Sequence, residues 1–354
     1  MNKKLLAYYT SIAICILLFA TSCEKTGGSS DESKPDNKVT FNNWLTDVSF
    51  QKVNITSSSA GCKDIVFNKG NAALLDTRNI VSFSYNNGNS WEQKLVLSGN
   101  TFQCIALQPD GKKLFIGGIS LANYTFGAKF WVYHTPDNGV ASLDYTGEAK
   151  MANTDDPINS DFMRASWNGD GSVYASFGRT TYKDGFFGNI TPDGRKIFTR
   201  RTPSFSWVLN ESPTRFPTHC QGFSISDANK TLTLSASEYI PSGNIGLMAA
   251  YTSRDGNKGA GNNWLNITNY WKPGLSKHIA EDIAGHYSVI VGDANRFFID
   301  SKLLTDKYIE IVPKGISGTL TCTAIDNNQY IWIGTDNGLY KSNKPLPKLY
   351  NPFG

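Results

Sequence analysis

Charge is scarce in this chain, and histidine scarcer. Charged residues make up 18% of the 354 positions, and only four residues are His. The formal net charge of +4 is small for this length, and no stripe of Lys and Arg runs along it. That excludes the electrostatic footprint of a nucleic-acid binder. Long stretches with apolar residues at helical spacing are missing, which argues against a helical bundle. There is no Ser-His-Asp signature, no glycine-rich phosphate loop and no HExxH string. CxxC pairs and Cys/His spacings of the zinc type are absent too, so neither a metal nor a cofactor is expected.

What is present begins with an address. Lys3 and Lys4 precede an apolar stretch, Leu5 to Ala20, which is short for a membrane span, and Ala20, Thr21 and Ser22 lead into Cys23. The arrangement resembles a bacterial lipoprotein signal. The resemblance implies that residues 1–22 are removed, that Cys23 becomes a lipidated N-terminus, and that the chain is held at the outer membrane. Residues 23–40 are nearly devoid of apolar side chains and read as a flexible tether. The acidic residues just after Cys23 resemble the surface-export tags of Bacteroidetes lipoproteins, which implies exposure at the cell surface.

The remainder, 41–354, is rich in glycine (32) and aromatics (Phe 20, Tyr 16, Trp 8), the mix of short strands joined by tight turns. "SYNNGNSW", Ser84 to Trp91, lies between two alternating segments. Asn-Gly tolerates the positive φ of a hairpin turn, Ser and Asn side chains can hold that turn, and Trp91 can pack beside it. Its spacing resembles the Asp-box (BNR repeat) of sialidase-like β-propellers, with Asn86 at the usual Asp position. "TSRDGNKGAGNNW" (Thr252 to Trp264) is a looser copy, and "TPDNG" (Thr135 to Gly139) keeps the turn without the Trp. "YIWIGTDNGLYKS" (Tyr330 to Ser342) resembles a blade signature of propellers in sensor kinases of gut bacteria.

These fragments recur every 40 to 60 residues or so, a propeller period. The expectation is an all-β, six-bladed β-propeller, with inner strands starting near Gly61, Gln103, Phe162, His219, Lys277 and Leu320. A seven-bladed ring is the alternative, with the extra blade between Ile240 and Ser276. "NNWLTDVSFQKV" (Asn42 to Val53) reads as a lone outer strand that completes the last blade and closes the ring. Cys62, Cys104, Cys220 and Cys322 fall at matching inner-strand positions. Since neighbouring sheets pack about 10 Å apart, they are expected to be buried free thiols.

In such a ring the loops leading into the inner strands surround one mouth. Asp161, Arg164, Arg215, His219, His278, Glu281 and Asp282 would cluster there, with Tyr124, Tyr182 and Tyr239 around them. Aromatic faces beside hydrogen-bonding groups suit a sugar. Plain structural roles compete: a lone His at a strand start usually just makes a hydrogen bond, and a loop Tyr often only packs. Glu281 and Asp282 are adjacent and on a strand would face opposite ways. Asp161 with Glu281 could supply the two carboxyls of a glycosidase if the fold brings them together. The sialidase arginine motif is not reproduced: "TRFP" (Thr214 to Pro217) is mid-chain, with Phe216 in place of isoleucine. The reading is a non-enzymatic envelope protein binding a glycan or a protein partner. The alternatives are a glycoside hydrolase or lyase on the same scaffold and a scaffold subunit of an envelope assembly.

Overall fold

In the computed structural model, the described residues are 36–55, 60–120, 128–136, 140–151, 161–167, 173–178, 186–190, 197–201, 216–226, 231–239, 245–253, 264–266, 272–273, 276–301, 303–304 and 308–349. A helix, α1 (Asn37–Asp47), and a short strand, β1 (Phe50–Val53), come first. Strands then follow in runs of four. The first run is β2 (Cys62–Asn68), β3 (Asn71–Asp76), β4 (Ile80–Ser84) and β5 (Glu92–Val96). The second is β6 (Asn100–Leu107), β7 (Lys113–Ser120), β8 (Ala128–His134) and β9 (Ser142–Met151). The third is β10 (Asp161–Trp167), β11 (Val173–Gly178), β12 (Phe186–Ile190) and β13 (Ile197–Arg201). The fourth is β14 (Phe216–Ser226), β15 (Thr231–Tyr239), β16 (Ile245–Ser253) and β17 (Trp264–Asn266). The fifth is β18 (His278–Glu281), β19 (Tyr287–Val291), β20 (Phe297–Ser301) and β21 (Ile309–Ile311). Three strands end the series: β22 (Leu320–Ile325), β23 (Ile331–Thr335) and β24 (Gly338–Ser342).

The missing fourth strand of the last sheet is β1. Its register runs Phe50↔Ser342, Gln51↔Lys341, Lys52↔Tyr340 and Val53↔Leu339, giving the order β1-β24-β23-β22. The first strand of each run packs against the first strand of the next, and β22 returns to β2. The innermost strands β2, β6, β10, β14, β18 and β22 therefore form a closed circuit. They start close to the positions expected from the sequence. The middle three runs are joined further, through the parallel pair β9/β13 and a single bridge between Gly178 and His219.

The core lies between successive sheets rather than at the axis. Leu75, Val81 and Phe83 of the first run pack on Phe102, Leu114 and Ile116 of the second. Second strands are covered on both faces, so β19 and β23 are buried at every position and read as continuous apolar runs. Trp332 of β23 sits against Trp91 and Phe67, with ring centroids 6.1 and 5.0 Å away, joining the last sheet to the first. Its indole N–H donates to Asp326 at 2.9 Å.

One expected strand is a helix. The segment around Trp44 belongs to α1, so the tether boundary at residue 40 also falls inside a helical element. Phe41, Trp44, Leu45 and Val48 follow helical spacing, and they pack on Tyr287, Phe50 and Tyr340. Trp44 donates its indole N–H to the Pro345 carbonyl at 2.6 Å. The helix thus rests on the closing sheet, and only β1 enters it.

"SYNNGNSW" is the turn between β4 and β5. Asn87 and Gly88 both take positive φ, 59° and 81°. The Asn86 carboxamide oxygen accepts from the Ser90 amide at 2.9 Å and the Ser84 hydroxyl at 3.0 Å, while its NH2 donates to the Ser90 hydroxyl at 2.8 Å. Gly88 lies flat on the Trp332 ring, where a Cβ would stand 2.5 Å from Cζ2.

Candidate functional site

The inner strands are sheet edges facing the axis, so their backbone groups need partners from elsewhere. The chain supplies them through a repeated irregularity. Register slips between Cys62 and Asp64, Phe102 and Cys104, Phe162 and Arg164, Cys220 and Gly222, and Leu320 and Cys322. Each slip is a bulge that skips one residue and re-aims the next.

The skipped residues bind the neighbouring strand. Lys63 Nζ donates to the Phe102 carbonyl at 2.9 Å, and the Thr321 hydroxyl donates to the Cys62 carbonyl. Lys277, just before β18, reaches the Leu320 carbonyl at 3.4 Å. In all three cases the acceptor is the residue just before the bulge on the next strand, so the donors follow one another around the ring.

Two of the residues that follow a bulge, Asp64 and Arg164, border the axial cavity. Asp64 is 2% exposed. One of its carboxylate oxygens accepts from the Ile65 amide at 2.9 Å and from His278 Nε2 at 3.0 Å. The other accepts from the Ile105 amide of β6 at 2.9 Å. Arg164 spans the opposite side: Nε donates to the Lys277 carbonyl at 2.9 Å and an NH2 group to the Thr321 carbonyl at 3.0 Å. Burial, and secondarily the Arg164 charge, lower the pKa of His278 against the pull of Asp64. The imidazole is therefore neutral, with Nε2–H donating to Asp64. Its Nδ1 is buried and has no hydrogen-bond partner among the described residues.

From this level a cavity of about 390 Å³ runs along the inner strands to their C-terminal ends. Its wall includes Phe67, Lys69, Ser166, Trp167, Glu281 and Asp282. Asp282 holds the β18–β19 turn by accepting from the Tyr287 amide at 2.7 Å. Glu281 and Asp282 are both among the residues that border the cavity.

Of the expected mouth residues, Arg164 and His278 are brought close: Arg164 bonds the carbonyl of Lys277, and His278, the next residue, bonds Asp64. The cavity leads away from them, towards the ends of the inner strands rather than their starts, and Glu281 lines it. Arg215, Tyr124 and Tyr182 lie outside the described residues. So do the side chains of Asp161, His219 and Tyr239, whose backbones are in β10, β14 and β15. Asp64, Lys63 and Thr321 were missed from sequence. The available signal was an acidic residue inside an otherwise apolar first strand, "CKDIVF". Cys62, Cys104 and Cys322 are buried, and no disulfide bond joins any of them in the structure; the side chain of Cys220 lies outside the described residues. The 10 Å spacing argument does not hold for one pair, however: Cys62 Sγ lies 3.3 Å from Cys322 Sγ.

No family model and no curated protein matches the chain. Solved structures do. The β-propeller domain of Cps50 (Swd1) from Myceliophteria thermophila is 10% identical with a TM-score of 0.50, covering 83% of this chain and 98% of that one. The WD40 propeller domain of Doa1 (10% identity, TM-score 0.47, 83% and 96% covered) and YCF48, solved with a D1 peptide (10%, 0.49, 85% and 97%), are also similar. At such identity the likeness concerns the fold alone: by its strand order, its closing sheet and the likeness to the Cps50 (Swd1) domain, the chain is a β-propeller.

Proposed function

We propose that this propeller is a lipid-anchored, non-enzymatic binding protein of the cell envelope that takes a glycan into its axial cavity. One observation carries the binding half of this reading. The ionisable groups that converge on the axis, Asp64, Arg164 and His278, direct their hydrogen bonds to the rim backbone and to one another. They act as ring ties, not as an acid and base held ready for substrate. The cavity beyond them offers the aromatic faces of Trp167 and Phe67 beside Ser166, Lys69 and Glu281, which suits the apolar faces and hydroxyl edges of a sugar ring. The envelope half of the reading rests on the apolar leader and Cys23.

A glycan array with the mature protein, repeated with Trp167→Ala, tests the binding half. Binding to a sugar class that falls at least tenfold in the variant is expected. Failure to bind any sugar would shift the reading to a protein partner. Cleavage of a polysaccharide that is lost in Glu281→Gln would replace it with a hydrolase or lyase. Acyl-chain labelling that disappears in Cys23→Ala tests the anchor.

A further inference from the structure

The seam where the ring closes brings two cysteines together. Cys62 lies at the start of the first inner strand and Cys322 on the last, 260 positions apart, with sulfurs 3.3 Å from each other and both side chains fully buried. The neighbouring position on β23 is Gly334, where a Cβ would come within 2.8 Å of Cys62 Sγ and would also strike Cys322 Sγ. A residue with any side chain at 334 would push the sulfurs apart. The Thr321 hydroxyl bond to the Cys62 carbonyl fixes the two strands at this level.

We propose that Cys62 and Cys322 form a disulfide that staples the first sheet to the last and locks the ring. The proposal rests on the export reading above, because an oxidising compartment is needed to form and keep such a bond. The oxidant is the disulfide of a thiol–disulfide exchange protein. The thiolate of one cysteine attacks a sulfur of that disulfide, giving a mixed disulfide and releasing one oxidant thiolate. The thiolate of the second cysteine then attacks the mixed disulfide at the chain's own sulfur and expels the other oxidant thiolate. Two thiol protons and two electrons leave the chain, and the oxidant ends as a dithiol.

Burial raises the pKa of Cys62 and removes both sulfurs from solvent. Exchange therefore belongs to folding, before β22 settles against β2. Once made, the link closes a loop of about 260 residues, the kind of long loop for which a cross-link constrains the unfolded chain most. Cys104, also buried, shows no such neighbour among the described residues.

The test uses the chain sent by a heterologous signal to a bacterial periplasm, with a parallel preparation from a reducing cytosol. Denaturation with alkylation, then tryptic digestion without reductant, should give peptide 53–63 joined to peptide 315–341 in the periplasmic product only. Reduction should lower its Tm by roughly 5–10 °C. The Cys62→Ala/Cys322→Ala double variant should show no response to reductant. Full alkylation of both cysteines in the periplasmic product, or a link from either to Cys104 or Cys220, would overturn the proposal. Because the experimenter chooses the compartment, this result does not depend on the native address. Linked protein here together with reduced protein in native envelopes would sink the export reading and leave the staple standing.

Discussion

His278 Nε2 meets the Asp64 carboxylate at 3.0 Å across 214 positions of sequence, and the two residues sit on inner strands from opposite ends of the chain. The imidazole is held neutral because burial and the Arg164 charge lower its pKa below the ordinary 6.5. The unfolded chain, with an ordinary His, binds a proton first as pH falls. Stability contributed at neutral pH is therefore lost on acidification from about pH 6.5 down to the depressed folded value, below which the term is constant. Melting temperature measured from pH 8 to pH 5 should fall more steeply for the native chain than for His278→Gln. Parallel curves would contradict the assignment.

Asp64 carries more of the axis than His278 does. It accepts from two backbone amides on different strands and from His278. Asp64→Ala leaves these donors buried without a partner and should cost about 3–5 kcal/mol in denaturant unfolding. His278→Ala removes one neutral bond and some packing, and about 1–2 kcal/mol is expected. Equal losses would mean that Asp64 is not the hub.

The turn glycine at 88 is required twice over, by its φ of 81° and by the Trp332 ring beneath it. Gly99 shares a φ of 75° but faces open space. Gly99→Ala should cost only backbone strain, about 1 kcal/mol. Gly88→Ala adds a collision with a buried indole, and a loss of about 3 kcal/mol or more is expected in the same unfolding measurement. Similar losses would show that the turn does not dock on Trp332.

Much of this architecture could be read in advance. The period, the turn at Asn87–Gly88, the inner-strand starts and the pairing of β1 with β24 all follow from local pattern. What stayed hidden has identifiable causes. A bulge inserts one residue into a strand without changing its composition. The alternation that places Lys63 and Asp64 on faces therefore fails where the axial side chains are set. Trp44, Thr46, Val48 and Phe50 alternate like a strand, and that masked the helical spacing of Phe41, Trp44, Leu45 and Val48. The sulfur contact of Cys62 with Cys322 depends on the small volume of Gly334, 12 positions from the nearer cysteine and on another strand.

Asn86 organises the turn between β4 and β5 through its side chain. Its oxygen accepts from the Ser90 amide and the Ser84 hydroxyl, and its NH2 donates to a hydroxyl that can rotate to become a donor. Asn86→Asp should accordingly change stability by less than about 0.5 kcal/mol, whereas Asn86→Ala should cost about 1 kcal/mol. Thermal denaturation of the pair decides this, and a large loss in Asn86→Asp would mean that the NH2 is indispensable.

The central claim is that the N-terminal strand β1 completes the last sheet and makes a ring of the chain. Consecutive amides of a strand point alternately to its two neighbours, so residue-resolved hydrogen exchange along β24 tests the claim directly. The account predicts slow exchange at all four amides from Leu339 to Ser342, with β23 on one side and β1 on the other. Slow exchange at every second amide only, with the others exchanging at the rate of an open edge, would contradict it.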